Sequence, residues 1–302
     1  MKRLLPFLLL IALFLGGCAA PSKNDDKTTH ILATTYPIYL FTCELIKGVE
    51  NVEVTQLIQE EVSCLHDYTL TVNDMKAIDR ADVIIINGAD LELFMADTLS
   101  QGKAPVIDSS VGLNLLPASG HEHHQHETHD NNEHSGHYDP HFWLDPNAAK
   151  TMLTNISTGL AALDPKNAAL YSLNCNKAVS TLSAIAPALS GISCPYIITF
   201  HDGFQYLAHT GGLTLLKSIE EESGSEASAA EIKEILSLIQ QYNIPAIFTE
   251  RNGSERTANV IARETGVKVY RLDMLMSGSG NDLSAYVDAI LSNYSIIKEA
   301  LS

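Results

Sequence analysis

Three histidines and one aspartate stand where side chains can meet a cation. His66 lies in Ser63-Cys64-Leu65-His66-Asp67-Tyr68, and His201 in Ile197-Ile198-Thr199-Phe200-His201-Asp202. His141 lies in Tyr138-Asp139-Pro140-His141-Phe142-Trp143-Leu144-Asp145-Pro146, and Asp273 in Tyr270-Arg271-Leu272-Asp273. Each follows a run that reads as a strand, His141 across an insertion. Three imidazoles and one carboxylate suit tetrahedral zinc, which takes nitrogen readily, whereas manganese and magnesium prefer a shell richer in oxygen. Neutral imidazole is the ligating form, so affinity should fall in acid. Asp67, Asp139, Asp202 and Glu250 are candidates to orient the rings. Glu250 ends a strand of its own and is also an alternative ligand. A single histidine at a strand end is more often a cap or surface residue, and Asp202 and Asp145 would serve equally well as helix caps. Four such residues at analogous strand ends are harder to reach by accident. His30 and His209 lack that setting and read as structural.

The elements that must position these residues alternate. Strands are expected at Ile31–Thr34, Val52–Ile58, Val83–Asn87 and Val106–Asp108, with helices at Ile38–Lys47, Val72–Arg80 and Leu91–Leu99 between them. The unbroken β-branched run Val83-Ile84-Ile85-Ile86 predicts a strand covered on both faces of a parallel sheet. Two helical stretches follow, Asn147–Leu163 and Lys166–Leu189. Asp145 is placed as an N-cap with Pro146 at the first helical position. The alternation then resumes, with strands at Tyr196–Phe200, Leu213–Ile219, Ala246–Thr249 and Val267–Leu272. Helices fall at Phe204–His209, Ala229–Tyr242, Ser254–Thr265 and Leu283–Ala300, and Ser228 with Glu231 forms a capping box. The expected fold is therefore α/β: two similar (βα)4 lobes with parallel sheets, residues 30–165 and 191–302, each with its own core. A long rigid helix, 166–190, joins them, and the metal site lies in the cleft beyond the carboxyl ends of the strands.

Residues 118–138 interrupt the first lobe. This stretch carries seven of the twelve histidines, His121, His123, His124, His126, His129, His134 and His137, and reads as a solvated loop. Its three readings are auxiliary zinc capture, sensing of zinc load, and a dispensable insertion. Capture is favoured, although ordering entropy opposes tight binding by ligands that are not preorganised.

The N-terminus has a charged start, Met1-Lys2-Arg3, an apolar run from Leu4 to Leu15, and then Gly16-Gly17-Cys18. This is a signal peptide over residues 1–17. Cys18 becomes the lipidated first residue, and residues 18–29 a polar tether. Two or more acyl chains anchor a protein stably to a bilayer. The remaining cysteines, Cys43, Cys64, Cys175 and Cys194, have no connectivity that sequence can assign. The formal net charge of −17 disfavours nucleic acid as a partner.

From about Thr29 to its end the chain resembles the zinc/manganese substrate-binding lipoproteins of bacterial ABC transporters. The carriers are Ala33-Thr34-Thr35-Tyr36-Pro37, His66-Asp67-Tyr68, Ala81-Asp82-Val83-Ile84, Asp139 through Pro146, Phe200-His201-Asp202 and Leu272-Asp273. The resemblance implies two α/β lobes joined by a rigid helix and one metal ion between them. The family's four ligand positions fall on His66, His141, His201 and Asp273. Manganese members tend to carry a carboxylate at the third position, so His201 points to zinc, as does the histidine-rich insertion. The chain departs from the pattern after Asp273, where Met274-Leu275-Met276-Ser277-Gly278 replaces the usual Pro-Leu-Gly turn.

The function implied is a monomeric solute-binding protein, anchored outside the bacterial membrane, that captures Zn2+ and delivers it to a permease with its ATPase subunit. The chain has no G-x-x-x-x-G-K-[ST] phosphate loop, so ATP use belongs to the partner. Alternatives are a manganese-specific protein of the same type and a zinc-dependent hydrolase with Glu250 or Asp273 as general base. A surface adhesin ranks behind transport.

Overall fold

The computed structural model describes residues 28–59, 65, 68–118, 138–185, 189–218, 227–253 and 255–302. The expectations for the signal peptide, Cys18, most of the tether, Cys64, His66, Asp67 and the seven loop histidines lie outside the described residues.

Two four-stranded parallel sheets organise the chain. The first comprises β1 (Thr29–Ala33), β2 (Val52–Gln56), β3 (Val83–Ile86) and β4 (Val106–Asp108), in the order β2-β1-β3-β4. The second comprises β5 (Tyr196–Thr199), β6 (Thr214–Ser218), β7 (Ala246–Glu250) and β8 (Lys268–Leu272), in the matching order β6-β5-β7-β8. In each sheet the strand order reverses beside the first strand, at β1/β3 and at β5/β7. Such a switch point opens a crevice beyond the strand carboxyl ends. Val83, Ile84 and Ile85 are buried, as the β-branched run predicts for a covered strand.

The helices are α1 (Tyr36–Leu45), α2 (Val72–Arg80), α3 (Ala96–Gln101), α4 (Pro146–Leu163), α5 (Ala168–Ser183), α6 (Gln205–Thr210), α7 (Ala229–Tyr242), α8 (Arg256–Thr265) and α9 (Leu283–Leu301). Asp145 caps α4, accepting from Asn147 N at 2.8 Å, with Pro146 following. The Ser228–Glu231 capping box starts α7.

The expected helix over 166–190 is shorter. A 3-10 turn, Pro165–Asn167, precedes α5, whose 16 residues extend about 24 Å. Asp164 starts this restart of the chain, its carboxylate accepting from Asn167 Nδ2 and Tyr171 Oη. Continuation beyond Ser183 runs toward Pro187, which cannot sit in a helix interior. α5 packs along α4 and α1. Asn174 on α5 donates to the carbonyls of Leu45 and Lys47 at the end of α1.

The lobes do not keep separate cores. One apolar cluster runs from Ile31, Phe41 and Ile85 through Trp143 and Met152 to Phe248, Leu272, Tyr286 and Ile297. A smaller cluster, including Ile198, Ile235 and Ile261, lies between the second sheet and α7 and α8. Polar ties cross the seam as well. Trp143 Nε1 donates to Met274 O at 2.9 Å, and Tyr286 Oη to Trp143 O at 2.7 Å. Tyr36 Oη donates to Gly280 O at 3.2 Å and accepts from Gly280 N at 3.0 Å. The ring of Tyr36 lies where a Cβ on Gly278 would come within 2.4 Å of it.

Candidate metal centre

His141 and His201 meet across the crevice. Their ring centroids are 5.1 Å apart and their planes are nearly perpendicular, at 89°. Both residues are 1% exposed, too buried for either to be a surface histidine.

The segment carrying His141 is fixed from several sides. Asp139 N donates to Leu116 O, and Tyr206 Oη donates to Asp139 O. An antiparallel bridge pairs Pro117 with Tyr138. Asp139 Oδ1 then accepts from His141 N at 2.9 Å and lies 2.8 Å from His141 Nδ1. A carboxylate only accepts, so Nδ1 carries the proton and Nε2 keeps its lone pair. His141 Nε2 is buried and has no hydrogen-bond partner among the described residues. Burial pushes the imidazolium pKa down. The hydrogen bond to Asp139 and the charges of Asp139, Asp202 and Glu250 outweigh it, and the net shift is upward. The indole of Trp143 sits 5.2 Å from the His141 ring, centroid to centroid.

His201 is itself the cap of the 3-10 turn Asp202–Phe204, the role that was the alternative reading of Asp202. Gly203 N donates to His201 Nδ1 at 2.9 Å. That contact places the proton of the neutral ring on Nε2. Ligation through Nε2 therefore requires the proton to move to Nδ1, which lies 3.4 Å from Asp202 Oδ1. Gly203 also makes room for the pair. A Cβ there would lie 2.7 Å from His141 Cγ and 2.4 Å from Met274 Cε. Sequence reasoning missed Gly203 and Met274, although a glycine two residues beyond a strand-end histidine was the available signal.

The acids divide. Glu250 is buried at the end of β7, and its charge acts on His141. Asp273 follows β8, but Arg251 Nη1 holds its Oδ2 at 2.8 Å and Leu275 N donates to its Oδ1. Both acids line a cavity of about 460 Å³ with Arg251, Asn252, Met276 and Gln59. Among the described residues, no group of three or more His, Cys, Asp or Glu side chains is gathered to hold an ion. The structure thus brings together His141, His201 and Asp139, sets Glu250 within electrostatic reach, and ties Asp273 to Arg251. His30 pairs with Glu53 away from this site, and among the described residues Cys43, Cys175 and Cys194 form no disulfide with one another. No helix among the described residues is long and apolar enough to cross a membrane.

Two lobes of like topology, with buried imidazoles meeting at their switch-point crevice, define a cleft-type binding protein. Residues 31–300 match the family described as ZnuA, zinc-uptake complex component A, periplasmic, and the chain belongs to that family. That is a family of uptake components and not of enzymes, which sets aside the hydrolase alternative. The chain is 30% identical over 293 residues to the high-affinity zinc uptake system protein ZnuA of Bacillus subtilis (strain 168), covering 94% of this chain and 90% of that one. It is also 30% identical over 303 residues to the zinc-binding lipoprotein AdcA of Streptococcus pneumoniae (strain ATCC BAA-255 / R6). That match covers 96% of this chain but spans only 59% of AdcA's length. Among solved structures, a Zn(II)-bound mutant variant of AdcAII from Streptococcus pneumoniae superposes with a TM-score of 0.77 at 28% identity, covering 91% of this chain and 99% of that one.

Proposed function

We propose that this chain is the extracytoplasmic solute-binding component of a metal ABC transporter, capturing Zn2+ in the crevice between its lobes and handing it to a membrane permease driven by an ATPase subunit. In this reading it acts as a monomer held at the membrane through lipidated Cys18. His66, His141 and His201 supply three nitrogen donors. Glu250 is the carboxylate facing the pair, because Asp273 would first have to give up Arg251. The observation that carries the reading is the buried His141 Nε2, its lone pair directed by the Asp139 hydrogen bond and without a partner among the described residues. A buried polar atom left in this way costs about 1–3 kcal/mol, and a cation relieves that cost. The nitrogen-dominated donor set favours zinc over manganese. The histidines of 121–137 act as auxiliary capture ligands.

The test is elemental analysis of the purified protein, followed by zinc–manganese competition on wild type, His141→Ala and His201→Ala. One zinc per chain, retained against manganese and lost in both variants, is expected. Wild-type zinc affinity in His141→Ala, or displacement of zinc by manganese, would overturn the reading.

A further inference from the structure

The switch point of the first sheet holds a buried acid that no metal-binding role uses. Glu92 is 4% exposed. Its Oε1 accepts from Thr34 Oγ1, just past β1, at 2.6 Å and from Asn87 N, just past β3, at 2.7 Å. Its Oε2 accepts from Gly88 N at 3.0 Å. Asn87 is fully buried, and its carbonyl accepts from Ser109 Oγ at 2.7 Å. Its side-chain Nδ2 donates at 3.0 Å to Pro140 O, the carbonyl of the peptide that leads into His141. The carboxylate therefore sets the Asn87 backbone, and the Asn87 amide sets the approach of His141 to the crevice.

We infer that Glu92 is a positioning residue for the metal centre, acting through Asn87 and the Pro140 carbonyl to hold His141 in its binding orientation. The inference rests on the reading of His141 as a ligand. The backbone N–H groups of Asn87 and Gly88 are obligate donors, one to each carboxylate oxygen, and the ionised carboxylate is the form that accepts best from both while taking the Thr34 hydroxyl as a third donor. A proton on Oε2 would face Gly88 N–H, and a proton on Oε1, even with the Thr34 hydroxyl turned to accept it, leaves a weaker acceptor for Asn87 N–H; either way the hold on this backbone loosens. Burial drives the Glu92 carboxyl up to about 7, against the pull of the hydrogen bonds from Thr34, Asn87 and Gly88, with the charge of Asp108 adding to the rise. Among the described residues the charge that acts on Glu92 is that of Asp108 at the end of β4, and the next titratable group along the relay is His141, one residue beyond Pro140. Glu92→Gln reproduces the protonated state at every pH.

Zinc dissociation constants of wild type, Glu92→Gln, Asn87→Ala, the double variant and His141→Ala, measured by chelator competition at about pH 8 and about pH 6, test this. Glu92→Gln should weaken binding about tenfold at the higher pH, the low end of effects seen for groups that orient metal ligands. It should converge on wild type at the lower pH, where wild-type Glu92 is itself protonated. The double variant should be no weaker than Asn87→Ala, because the two residues act in series. A pH-independent ratio, or additive losses, overturns the relay. If Glu92→Gln does not fold, Thr34→Val, which removes a hydrogen bond that holds the Glu92 carboxyl down, must begin to lose zinc affinity at a higher pH than wild type; an unmoved affinity–pH profile overturns the proposal. If His141→Ala keeps wild-type affinity, the ligand reading falls and the relay with it. A crippled His141→Ala beside a flat Glu92→Gln ratio refutes the relay alone.

Discussion

Gly203→Ala would test the geometry of the imidazole pair without removing a donor. The new Cβ would lie 2.4 Å from Met274 Cε and 2.7 Å from His141 Cγ. Non-bonded carbons settle at about 3.5 Å or more, so each neighbour must retreat. The methionine end can rotate away, since its side chain has three flexible torsions. The imidazole has no such freedom, because Asp139 holds its Nδ1 at 2.8 Å and Trp143 packs against the ring. The ring must therefore move by about 0.8 Å to restore ordinary contact. A metal–ligand distance tolerates a change of about 0.2 Å. Overpacking of this kind costs about 1–3 kcal/mol. If the bound state carries that cost, zinc affinity falls by about 5- to 150-fold. Chelator competition near neutral pH measures the affinity, and far-UV circular dichroism checks the fold. A folded Gly203→Ala protein with wild-type zinc affinity would show that the ion does not sit on the His141 ring as described.

Two more outcomes follow from buried polar contacts. Tyr36→Phe removes both hydrogen bonds to Gly280 across the seam. It should lower stability by about 1–2 kcal/mol, from two bonds worth about 1 kcal/mol each. It should also speed zinc release, read as stopped-flow emission of Trp143, and an unchanged dissociation rate would mean that this latch does not govern lobe opening. Glu92 gives the metal-free protein a pH-dependent stability. Its carboxyl is raised from 4.5 to about 7 in the fold, so between those values the native state binds the extra proton. Unfolding free energy should therefore fall as pH rises through that window, by about 3 kcal/mol in all, and Glu92→Gln should lack this component in urea titrations. Equal pH slopes in the two proteins would refute the assignment.

Much of the frame was legible because its signals are local. The run Val83–Ile86 could only be a covered strand, and Asp145-Pro146 and Ser228-x-x-Glu231 announce helix starts that the structure contains. The strand-end pattern drew attention to His141 and His201, whose rings the structure sets 5.1 Å apart. The shared core could not be read, because contacts such as Phe41 with Tyr286 join residues far apart in sequence. Nothing local in Asp90-Leu91-Glu92-Leu93 marks Glu92 as special, and only the meeting of two strand ends buries it. The Arg251–Asp273 pair was hidden for a different reason. Once β7 and β8 are known to be neighbours, with Glu250 opposite Leu272, the next residues of each strand fall side by side. That adjacency is a property of the sheet and of neither strand alone.

The Pro117–Tyr138 bridge gives the first lobe a closed collar where the histidine-rich stretch departs and returns. Everything that orients His141 begins on the fold side of that collar, at Asp139. Sequence inserted between Pro117 and Tyr138 can therefore vary over evolutionary time while the anchoring of His141 on Asp139 keeps its shape.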